Sequence, residues 1–120
     1  MTTADVWCTI AVTFFIVTDY ATGVAKAIMQ DNLSSKKMRE GLGHKFAYFI
    51  LVLVAWFIDE INLHVDLGLP LSVFVCTVGG ICLIELTSIL ENITAINPEL
   101  KDAPFMRIFA QTTNDKHKAE

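Results

Sequence analysis

Three long apolar blocks, each interrupted by very few polar positions, alternate with polar connections along this chain. The first runs from about Val6 to Ala27 (VWCTIAVTFFIVTDYATGVAKA) and carries Asp19 and Lys26. The second centres on FAYFILVLVAWFI, Phe46 to Ile58, which by itself is too short to cross a bilayer. From about Leu42 to Ile61 it reaches the roughly 20 residues a spanning helix needs, with Lys45 snorkelling at one end and Asp59 and Glu60 at the other. The third, Leu69 to Leu90 (LPLSVFVCTVGGICLIELTSIL), has spanning length and one acid, Glu85. The pattern predicts an all-α membrane protein with three transmembrane helices, over about 6–27, 42–61 and 69–90.

Composition agrees with the blocks. Of 120 residues, 53% are apolar and the mean hydropathy is +0.50, against an apolar share of about 45–50% in soluble domains. The length suits one domain, 1–120, without internal repeats. Signal peptides begin with a basic region; no Lys or Arg precedes Lys26, so the first block is read as a retained span.

Charge sets an expected orientation. Lys36, Lys37, Arg39 and Lys45, with Lys26 at the edge, fall between the first two blocks, and Lys101, Arg107, Lys116 and Lys118 follow the third. MTTAD and DEINLHVDLGLP contain no Lys or Arg. By the positive-inside rule the basic connection 28–41 and the tail 98–120 are cytoplasmic, giving an N-out, C-in topology. A two-span alternative, with the second block lying at the interface, puts basic segments on both sides and fits less well.

The connection QDNLSSKKMREGLGHK has loop composition, and Asn32 or Ser34 is placed to cap a short amphipathic helix. Its basic cluster either lies against anionic lipid or is a solvated loop that only fixes topology. After Pro98, APFMRIFAQ groups Phe105, Met106, Ile108 and Phe109 beside Arg107, a segment suited to the interface, and TTNDKHKAE is polar and expected to be disordered.

Motifs for chemistry are missing from this pattern. His44, His64 and His117 sit in three separate polar segments with no second histidine or cysteine at helical spacing, so no metal site is expected. Cys8, Cys76 and Cys82 read as small packing residues. No phosphate loop, nucleophile motif or nucleic-acid signature is present, and neither catalysis, a cofactor nor a nucleic-acid partner is expected.

The polar residues inside the spans are the candidates. An ionisable group at the centre of a membrane helix costs about 2.5–3.5 kcal/mol on insertion scales and therefore faces protein or water. Asp19 and Glu85 fall in the cytoplasmic halves of their spans, with Lys26 at the inner edge, and the three are expected to form one charged layer. Asp19, Thr22, Gly23 and Lys26 follow i, i+3, i+4, i+7, and Gly23 with Ala27 forms a small-xxx-small pair. Ile81, Glu85, Ser88 and Asn92 share a face of the third span, while Gly79 and Gly80 offer a second point of close packing. Such helices either line water in an oligomer or close on each other in a compact bundle, where a carboxyl is neutral or paired with Lys26.

Together these stretches resemble the phage holin family that includes the clostridial toxin-secretion holins, from about Asp19 to Pro98. The likeness rests on DYATG (Asp19, Thr22, Gly23), Ala27, LSSKK (Leu33, Ser34, Ser35), GLGHK (Gly41, Lys45), FID (Asp59) and IELTSILENI with Pro98 (Glu85, Ser88, Glu91, Asn92). One departure is that no glycine lies between Asn92 and Pro98, where many relatives would carry one. The resemblance implies a multi-pass protein of the bacterial host's cytoplasmic membrane that assembles with copies of itself into large lesions. These dissipate the membrane potential and release an endolysin, or a toxin, with an antiholin as a possible partner. The polar stripes, with Asp19, Thr22, Gly23, Lys26, Gly79, Gly80, Glu85, Ser88 and Asn92, are then the pore or oligomer-face candidates, and Lys36, Lys37, Arg39 and Lys45 set topology. Alternatives of the same outline are an antiholin, which shares these features and does not lyse alone, and a small proton-coupled exporter built on one membrane carboxylate.

Overall fold

The structure, a computed structural model, describes residues 2–104 and 106–108. Three α-helices follow one another: α1 (Thr3–Met29), α2 (Ser35–His64) and α3 (Val73–Ile96), then a 3-10 turn, Pro98–Asp102. Each helix is long and apolar enough to cross a membrane. Phe105, Phe109 and the polar tail from residue 109 on lie outside the described residues.

Each helix starts on a side-chain cap. Thr2 accepts from the Asp5 amide (3.1 Å) while its own amide donates to the Asp5 carboxylate (3.2 Å), a reciprocal capping box. α1 ends in a tight turn in which Asp31 takes a positive φ of 52° and the Asn32 amide returns to the Ala27 carbonyl (2.8 Å). Ser34 then accepts from the Lys37 amide (3.1 Å), and α2 begins there. No separate amphipathic helix precedes it, because the cap at Ser34 opens the spanning helix itself. Lys36, Lys37 and Arg39 therefore ride on the first turns of α2. Its 30 residues extend about 45 Å at 1.5 Å per residue, longer than the ~30 Å hydrocarbon core.

The turn from α2 to α3 is tied at several points. Leu67 donates its amide to Asn62 Oδ1 (2.9 Å), and Gly68, at φ +71°, donates to Asp66 Oδ1 (2.8 Å). Pro70 disfavours helix in the residue before it, and α3 starts at Val73 rather than Leu69, on a cap by Ser72 to the Val75 amide (3.1 Å). Asp59, from the end of α2, completes this start. It accepts from the Val73 (2.9 Å) and Phe74 (3.1 Å) amides and from the Ser72 hydroxyl. At the other end α3 passes Leu90 and runs to Ile96 without a glycine stop. Asn97 turns extended, its amide bonds the Ile93 carbonyl (2.8 Å), and its side chain accepts from Glu99 (3.3 Å) as Pro98 opens the 3-10 turn.

α3 is the central helix: α1 and α2 both pack on it, and they scarcely touch each other. The apolar core joins Val12 and Ile16 of α1, Val52 of α2 and Phe74, Val78 and Ile81 of α3, with Cys8, Tyr48, Trp56 and Cys82 around it. Large side chains cover the outside as well, among them Trp7, Phe14, Phe46, Leu53, Phe57, Leu83 and Ile84. The polar groups Asp19, Glu85 and Asn92 are buried instead. An apolar exterior, with the ionisable groups of the spans held inside beside an apolar core, is the distribution a lipid environment favours.

Candidate functional site: a three-helix ion cluster

All three helices contribute to one polar cluster. From α1 come Asp19 and Thr22, from α2 Lys45, and from α3 Glu85 and Asn92. The Lys45 ammonium donates to Asp19 Oδ2 and, at 2.6 Å, to Glu85 Oε2. Asn92 Nδ2 donates to Asp19 Oδ1 (3.1 Å) and to Thr22 Oγ1 (3.1 Å) and lies 3.4 Å from the Asp19 carbonyl. The Thr22 hydroxyl donates back along α1 to the Thr18 carbonyl (2.9 Å), which leaves its oxygen free to accept from Asn92. The Tyr48 ring lies 5.7 Å from the Lys45 nitrogen, within cation–π range.

Burial makes these contacts consequential. Glu85 is 1% exposed and Asp19 6%, so each carboxylate relies on protein groups instead of water. Removing one member of such a buried pair strands a charge and costs about 3–5 kcal/mol, while the intact pair adds little beyond what its desolvation took away. The cluster joins all three helices at one level.

The residues expected to form a charged layer divide. Asp19 and Glu85 do meet, but the cation between them is Lys45, not Lys26. Lys26 lies seven residues further along α1, about 10 Å away by helix rise, at the wall of a cavity between α1 and α2. Lys45, expected to snorkel at the end of its span, turns its ammonium into the bundle onto Asp19 and Glu85. Because α2 starts at Ser35, Lys45 sits ten residues into the helix, about 15 Å along it. The sequence did hold a signal for this. Lys45, Tyr48, Val52, Ala55 and Asp59 recur at spacings of three and four, one continuous face of a helix.

Of the remaining candidates, Gly23 faces Asn92, where an added Cβ would lie 3.6 Å from Nδ2, an ordinary contact. Ser88 lines the cavity with Asp19 and Asn92, and Ala27 lines it too. Gly79 and Gly80 are exposed on the outer side of α3, with nothing within 4 Å of an added Cβ. They make no close-packing point inside the bundle. Cys76 lies exposed one turn before them. Lys36 and Arg39 are exposed. Among the described residues, no group of three or more His, Cys, Asp or Glu is gathered for a metal ion.

An uncharacterised protein of Halalkalibacterium halodurans is 32% identical over 77 residues, 64% of this chain and 57% of that protein's length. No solved structure matches the chain. The sequence model of the bacteriophage holin family matches residues 2–103, which takes in all three helices and the complete ion cluster. By that match the chain belongs to the bacteriophage holin family and is a multi-pass protein of the bacterial cytoplasmic membrane.

Proposed function

We propose that the chain acts as a holin: it accumulates in the host membrane as closed three-helix units, then assembles with other copies into lesions that collapse the membrane potential and release an endolysin or a toxin. The observation that carries this reading is the burial of the charged stripe. Asp19, Glu85 and Asn92 are enclosed by the chain's own helices, and the outside is apolar. A unit so closed can stay in lipid without opening a path for ions.

Opening then requires exposure of the stripe. α2 is the element best placed to move, since it scarcely touches α1 and holds the cluster through a single side chain, Lys45. Parting α2 from the other two helices turns Asp19, Glu85 and Asn92 toward water between copies. The outer side of α3 at Gly79 and Gly80 permits close approach of a second copy. With N-out, C-in topology, the cluster lies toward the cytoplasmic side.

The test is inducible expression of this chain alone in a bacterium, with a potential-sensitive dye and a co-expressed cytoplasmic endolysin. Abrupt depolarisation after a delay, with endolysin release, is the result expected of a holin. Continued growth at intact potential assigns the antiholin role, and loss of potential with endolysin retained assigns ion transport instead.

A further inference from the structure

Beyond the ion cluster, the structure holds a cavity of about 380 Å³ between the end of α1 and the start of α2, within the ~300–1,000 Å³ range of small-molecule pockets. Its composition is graded. Val24 of α1 and Leu33 and Met38 beside and within α2 give it apolar walls, while Lys26 and Lys37 bring two cations to it besides Lys45, which is held by Asp19 and Glu85. Neither lysine is ion-paired among the described residues. Lys37 spends one donor on Asn32 Oδ1 (3.3 Å). Ser34, where α2 begins, also lines the cavity, and with Lys37, Met38, Gly41 and Lys45 it forms one side of the first three turns of the helix. The one acid in the lining, Asp19, is engaged by Lys45 and Asn92. Asp31, in the adjoining turn, is not part of the lining.

We propose that this cavity binds the phosphate headgroup of an anionic phospholipid, with the phosphate between Lys26 and Lys37 and the glycerol and upper acyl chain along Val24, Leu33 and Met38. Charge complementarity names the occupant. Two lysines that no carboxylate engages select an anion, and apolar walls at the end of two membrane-length helices select one that carries a hydrocarbon chain. Basic pockets between membrane helices take anionic headgroups on the same grounds. A lipid seated there lies between α1 and α2 and holds apart the two helices that scarcely touch.

The experiment compares lipid retention by native mass spectrometry, using the full chain released from mixed phosphatidylglycerol and phosphatidylcholine micelles. The wild type is expected to retain phosphatidylglycerol over phosphatidylcholine by about tenfold or more, from roughly 1 kcal/mol per lysine near the lipid surface. The K26Q/K37Q variant is expected to lose that preference. K36Q/R39Q removes the same charge from the same stretch outside the cavity, and is expected to keep it. Equal loss in both variants would mean general surface attraction and overturn the site. So would the absence of any preference in the wild type. Displacement of the lipid by millimolar inorganic phosphate would assign the cavity to a free anion and overturn the lipid.

Discussion

Lys45 and Glu85, separated by 40 residues in the chain, meet at 2.6 Å inside the helix bundle, and Asp19 shares the same ammonium. One cation thus serves two carboxylates from two different helices. This asymmetry makes Lys45 the most sensitive position in the cluster.

Replacing Lys45 by Met leaves both carboxylates buried without a counter-charge. The expected loss is about 3–5 kcal/mol, read as reduced resistance to unfolding in detergent and as lower accumulation in the membrane. The triple variant Asp19→Asn, Lys45→Gln, Glu85→Gln removes all the charges together and is expected to recover more than half of that loss. A triple variant no better than the single one would show that Lys45 acts by packing alone.

Asp19→Asn and Glu85→Gln each keep the shape and remove one charge from the pair. Insertion is expected to be normal, and the time of lysis to shift at equal expression. Lysis curves over several induction levels check this, and wild-type timing in both variants counts against the exposed-stripe mechanism.

On the outer side of α3 the expectation separates folding from assembly. Gly79→Ala meets no neighbour and is expected to stabilise the isolated unit by about 0.5–1 kcal/mol through helix propensity. Gly79→Leu or Gly80→Leu is equally tolerated by the unit but blocks close approach of another copy. Bismaleimide linking through the exposed Cys76 measures the difference. Strong linking in the wild type and at least a several-fold drop in the leucine variants are expected, and unchanged linking would move the contact to another face.

Asp59 is the cap of a helix it does not belong to. Asp59→Ala removes the acceptor for the Val73 and Phe74 amides and the Ser72 hydroxyl, at an expected cost of about 1–2 kcal/mol. Amide exchange should rise at residues 73–75 and remain slow around Ile16 and Ile89. Asp59→Asn retains one carbonyl oxygen and is expected to fall between the two.

Much of this arrangement was legible in the residues. Three apolar blocks gave three helices, and the spacing of Glu85 and Asn92, and of Asp19 and Thr22, put each set on one polar stripe of its helix, while whether the stripes face each other was left open. Lys45 was missed because an apolar count begins a span at its first hydrophobic residue. A helix begins at its cap, here Ser34, about two turns before Leu42. For the same reason Lys26 looked like the natural partner of Asp19: it shares a helix face with it, but a face along one helix says nothing of which other helix supplies the opposite charge. Gly79 and Gly80 show the converse limit. Small residues signal close approach, and only the packed fold tells whether the approaching helix belongs to the same chain.

The separation of α1 from α2 has a mechanical consequence. α2 is fastened by polar contacts at two places, Lys45 toward one end and Asp59 toward the other, 14 residues apart, or about 21 Å along the axis. Lys45 is a latch whose release depends on two carboxylates; Asp59, bonded to the backbone at the root of α3, is a hinge pin. In the proposed opening, release of Lys45 would let α2 swing about Asp59, and the gap would be widest at the end where the charged groups stand.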